Sequence, residues 1–112
     1  MKKIALAMVL ASVSYGAMAA VGCANGTPTS VTGVATNFVK TTFTAKCSSN
    51  VYVDYDQTAT VIGVGAASGK GKFVFSGNSE GSSVKATTTQ CPAAGCTGTQ
   101  TSTAATAAKN SS

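Results

Sequence analysis

The chain contains no histidine, no arginine and no tryptophan. Histidine is the side chain that changes charge near neutral pH, and nucleophile–base pairs and most zinc sites depend on it. Ser-His-Asp and Cys-His chemistry are therefore excluded. Without arginine or a dense run of lysine, the chain lacks the electrostatic footprint of a nucleic-acid binder. Carboxylates are scarce too: Asp54, Asp56 and Glu80 are all there are. Glu80 sits in a Gly/Ser turn far from the other two, so the sequence does not assemble an acid–base pair of the glycosidase kind. No catalytic residue, metal or cofactor is expected. Long hydrophobic runs are missing as well. The longest, residues 4–13, falls short of the roughly 20 apolar residues that cross a bilayer.

That short run has a different meaning. Lys2 and Lys3 precede it, and Ala17-Met18-Ala19 follows with small residues at alternate positions. A positive start, an apolar centre and a small-x-small end are the parts of a cleavable secretory signal. Residues 1–19 are predicted to be that signal, helical and bacterial in style. The rest is expected in the periplasm, at the cell surface or outside the cell, with no transmembrane segment. A second route is lipid anchoring through Cys23, since Ala20-Val21-Gly22-Cys23 resembles a lipoprotein box. Ala20 stands where such boxes carry leucine, and lipidation would leave an odd number of cysteines in an oxidising compartment.

Residues 20–112 carry six lysines against the three carboxylates, a net charge of +3. Solubility must come from Thr, Ser, Asn and Gly. A single domain of this size buries only about 60–65% of its unfolded surface, so covalent links matter to its stability. Four cysteines, Cys23, Cys47, Cys91 and Cys96, allow three pairings. Cys91-Pro92-Ala93-Ala94-Gly95-Cys96 can close a small loop if its Cα atoms approach within about 7 Å. This favours pairing Cys91 with Cys96 and Cys23 with Cys47. The four-residue gap is not the two-residue gap of thiol exchange motifs.

The clearest strand runs over residues 51–56, where Val51, Val53 and Tyr55 alternate with Tyr52, Asp54 and Asp56. Residues 20–30, with Asn25-Gly26 and Pro28, read as an irregular lead-in. Phe38 and Phe43 lie an odd interval apart, so residues 31–45 predict a bulge or two short strands. Residues 58–64 are β-branched and uncharged, and the four glycines of residues 63–72 read as a flexible turn. Phe73 and Phe75 share one strand face, and residues 83–89 form a last weak candidate. About five or six short strands at roughly ten-residue spacing predict an all-β fold, a small antiparallel sandwich or barrel-like domain stapled by disulfides. That domain is placed at residues 20–96, after the signal-peptide helix. Residues 97–112 have no large apolar side chain and are expected to form a disordered tail, a short helix near residues 104–109 being the lesser option.

Two glycine patterns in residues 63–71 fail as phosphate-binding loops, because the flanking residues and spacings are wrong. Asp54 and Asp56 project to one strand face and are candidate Ca²⁺ ligands, although a solvated polar face is the commoner meaning. Tyr52 beside them makes a candidate ligand face for sugars. The uncharged, β-prone residues 58–67, if exposed as an edge, would pair with another chain. The sequence therefore predicts a secreted structural or surface protein, such as a fibre, matrix or adhesive component. Its expected partners are further copies, polysaccharide or envelope components. The alternative is a monomeric binding module for carbohydrate or protein. The run Phe38, Phe43, Ala45, Cys47 and Val51-Tyr52-Val53 resembles the early strands of chaperone–usher pilins and of spore-coat-like secreted domains. Residues 104–112 lack the apolar final strand of pilins, and no family is assigned.

Overall fold

The computed structural model describes residues 19–81 and 83–111. The expected signal helix, residues 1–19, lies outside the described residues except at Ala19, which is not helical. The described residues form eight strands in chain order: β1 (Ala20–Ala24), β2 (Thr27–Pro28), β3 (Ser30–Val31), β4 (Phe43–Thr44), β5 (Val51–Gln57), β6 (Ile62–Ser68), β7 (Phe73–Asn78) and β8 (Lys85–Gln90). A helix, α1 (Gly98–Asn110), completes the chain. Six strands form one antiparallel sheet in the order β2-β1-β5-β6-β7-β8, and β3 with β4 makes a separate two-stranded sheet.

The lead-in is more regular than its composition predicts. Asn25 and Gly26 both adopt positive φ, at 53° and 84°, which matches the twist of a two-residue hairpin turn. They fold β1 back on β2, pairing Ala24 with Thr27. Residues 31–45 hold strand only at Val31, the end of β3, and in β4; Phe38 lies in the long excursion between them and in neither strand. The glycine run is not a flexible turn over its first half. Gly63 and Gly65 lie inside β6, which pairs along its whole length with β5, and only residues beyond Ser68 turn.

The sheet does not close and does not face a second full sheet, which corrects the predicted sandwich or barrel. Its middle strands β5, β6 and β7 are covered on one face by α1. The expected disordered tail is thus a 13-residue helix. Its start is fixed by a capping box: Thr97 accepts from the Thr99 amide, and the Thr97 amide donates to Gln100 Oε1 at 2.8 Å. Its inner stripe is Thr101, Ala104, Ala105 and Ala108, all buried, the spacing of one helix face. A helix without large apolar residues docks because the strand beneath it has no side chains to hold it away. A Cβ at Gly63 would strike the Ala105 carbonyl oxygen and the Lys109 amide, and one at Gly65 would strike the Thr101 carbonyl oxygen. Backbone lies on backbone there. Ala67, Val74, Ala104 and Cys96 form the apolar cluster beside this contact, with Cys91 packed against it.

The bridges hold the periphery to this core. Cys91 pairs with Cys96 at a Cα separation of 4.9 Å, closing the loop between β8 and α1. Cys23 pairs with Cys47 at 6.0 Å, tying β1 to the chain beyond β4. The β3–β4 layer lies on the sheet face opposite the helix, at the β1–β5 end. Tyr55 on that face is buried, as is Val31 of β3, and the Val39 amide donates to Gln57 Oε1 at 2.9 Å.

Candidate functional site

Two groupings stand out, one polar and buried, the other apolar and open. In β5 the odd residues Val51, Val53, Tyr55 and Gln57 face away from the helix, while Tyr52, Asp54 and Asp56 face toward it. The polar face of the strand is therefore the covered one. Asp54 is 3% exposed and Asp56 6%. The Thr101 hydroxyl donates to Asp54 Oδ1 at 2.5 Å, and also approaches the Gly98 carbonyl at 3.2 Å. Lys109 Nζ meets Asp56 Oδ2 at 2.9 Å, inside a largely buried setting. Lys109 stands in the last turn of α1, where a cation also suits the helix dipole. Tyr52 lies half-buried at the helix start, its ring near Gly98.

Burial pushes the Asp54 carboxyl above its ordinary value of 3.8, while the Thr101 hydrogen bond pulls the other way. Desolvation disfavours the charged form, and a donor to the carboxylate favours it. The pair Asp54 and Asp56 thus grips α1 at its first and last turns. The third tie is on β7, where Asn78 Nδ2 donates to the Ala108 carbonyl at 2.9 Å. The proposed ligand face of Tyr52, Asp54 and Asp56 is brought together, but under the helix. Among the described residues no group of three or more Cys, Asp or Glu is placed to hold a metal ion. The four cysteines are all in bridges.

The opposite sheet face is different in kind. Its β1–β5 end lies under the β3–β4 layer, and its β6–β7 side carries exposed apolar residues. Val64, Phe73, Phe75 and Val84 stand there at 37%, 44%, 48% and 73% exposed. An open groove of about 330 Å³ lies on this face, lined by Ile62, Val64, Ala66, Phe75 and Val84 among others. The strand positions on this face, Val51 to Gln57, Ile62 to Ser68 and Phe73 to Gly77 taken alternately, hold no charged side chain. On the neighbouring layer Phe38 and Phe43 are 42% and 52% exposed. All four phenylalanines of the chain are thus near half-exposed, while the buried apolar positions among the described residues hold Ala, Val, Cys and Tyr55. Alternation places Phe73 and Phe75 together, but alone it cannot tell a core face from an open one. The missing signal was the partner layer: α1 is built of Ala and Thr, and it lies over glycine.

Comparison with family models, with curated proteins and with solved structures finds no match for this chain.

Proposed function

We propose that this chain is an exported bacterial structural or adhesive component, acting through contact with envelope material or its own copies and without catalysis. The observation that carries this reading is the surface placement of its phenylalanines. Aromatic side chains supply the largest apolar area a small domain has, and here all four phenylalanines are held at the surface beside a charge-free sheet face. Depletion of charge with enrichment of aromatic residues marks the centres of interfaces. Two disulfides in a short chain accord with an oxidising compartment, as does the signal pattern from Lys2 to Ala19. The absence of histidine from the whole chain supports contact over catalysis.

Fractionation of a bacterial host producing the full chain tests the reading. The expected product begins at Ala20, is recovered from the envelope or medium, and resists thiol alkylation until reduced. Recovery from the cytoplasm with residues 1–19 attached and four free thiols would overturn it. A lipid on Cys23 would keep export but would replace the Cys23–Cys47 bridge with a membrane anchor.

A further inference from the structure

We propose that the face opposite α1 is a two-fold interface with a second copy of this chain, in which the β3–β4 layer of each copy seats on the bare half of the other. The inference rests on the contact function proposed above and names its partner.

The shape of the face argues for a copy of itself. One half of the sheet carries a raised layer, tied down by Cys23–Cys47, and the other half is open around Val64, Phe73, Phe75 and Val84. A two-fold rotation of this step sets each raised half over a bare half. Phe38 and Phe43, exposed on the raised half, then meet Phe73 and Phe75, and the bare half on which they seat has no charged strand position. An isologous contact of this kind closes on itself and does not propagate.

The sheet edges point the same way by elimination. Residues 58–67 do not offer an edge, because β6 is flanked by β5 and β7. At one border β2 has two residues and ends in Pro28, which lacks the amide a neighbouring strand needs. At the other, β8 shifts register against β7 between Phe73 and Phe75 and carries Lys85. Short strands, proline, bulges and edge lysine are the devices that block strand addition. Association through the face is left.

Area sets the expected strength. A phenylalanine presents about 150–250 Å² when fully exposed, so the four here, near half-exposed, offer about 350–400 Å². With Val64 and Val84 each copy contributes about 500 Å², and a pair buries about 1,000 Å², the lower limit for a specific interface. A reversible dimer in the micromolar range follows, because little surplus remains after the cost of association.

Sedimentation of the disulfide-bonded exported chain over a concentration series is the test. Wild type is expected to show a monomer–dimer equilibrium that goes no further. Phe75→Lys and Phe43→Lys, each at an exposed position, are expected to weaken dimerisation at least tenfold while circular dichroism stays unchanged. Val21→Lys, on the helix side of the sheet, is expected to leave it intact. A strict monomer, assembly beyond the dimer, or dimers indifferent to both phenylalanine substitutions would each overturn the interface. So would a monomer that binds phospholipid vesicles through Phe75, because the face would then belong to lipid. An exported, bridged monomer would remove this interface alone and leave the proposed function standing.

Discussion

At the residue scale the informative group is Asp54. Its carboxyl is raised by burial, with the Thr101 hydroxyl opposing. The folded chain therefore holds this proton to higher pH than the unfolded chain does. Folding takes up a proton, and the favourable contribution is present below the unfolded carboxyl's range, about pH 4. It is lost as pH rises through the folded value. Asp54→Asn keeps an oxygen that accepts from Thr101 and removes the charge. The variant is expected to equal or exceed wild type in urea midpoint at pH 7, and to lose the advantage near pH 3. A midpoint lower than wild type at neutral pH would mean that the carboxylate charge itself holds the helix.

At the element scale the contact of α1 with β6 decides the fold. Gly65→Ala places a methyl group against the Thr101 carbonyl oxygen, with backbone on both sides and no flexible side chain to yield. Overpacking of this kind typically costs about 1–3 kcal/mol. The substitution is expected to lower thermal stability and to speed amide exchange in residues 98–110 ahead of β5. Gly71→Ala, at a turn where a methyl group meets only ordinary contacts, is the control expected to be near neutral. This contact explains how far the fold was legible. The alternation in Val51 to Asp56 identified β5, and its period cannot be mistaken for that of a helix. Gly63 and Gly65 looked like turn residues because glycine weakens a strand. Their alternation with Ile62 and Val64 was the strand signal, and close approach of another backbone was the reason for it. The helix was hidden because its stripe is Thr and Ala, with no large apolar side chain to mark a buried face. The spacing of Thr97 and Gln100 marked its start. Asp54 and Asp56 were legible as a pair on one face, but which face water touches was settled by an element some forty residues away.

At the scale of the whole molecule the layers differ in how they are held. The helix is fixed by core packing, three polar ties and the Cys91–Cys96 loop at its entrance. The β3–β4 layer has two strand pairs, the Val39–Gln57 bond, buried Val31 and the Cys23–Cys47 bridge. That bridge closes a span of 24 residues, worth about 3 kcal/mol by loop entropy, which exceeds what so few pairs supply. Replacing both cysteines, Cys23→Ser with Cys47→Ser, is therefore expected to release the layer while the sheet and helix persist. Trypsin should then cut early after exposed Lys40 and Lys46, at a rate that leaves the fragment from β5 onward intact. Helical circular dichroism should change little. Because Phe38 and Phe43 travel with the layer, the same variant should lose dimerisation although Phe73 and Phe75 are untouched. Retained dimers with a freely cleaved layer would show that the bare half of the sheet suffices for contact. The raised half would then be only a cover for Tyr55.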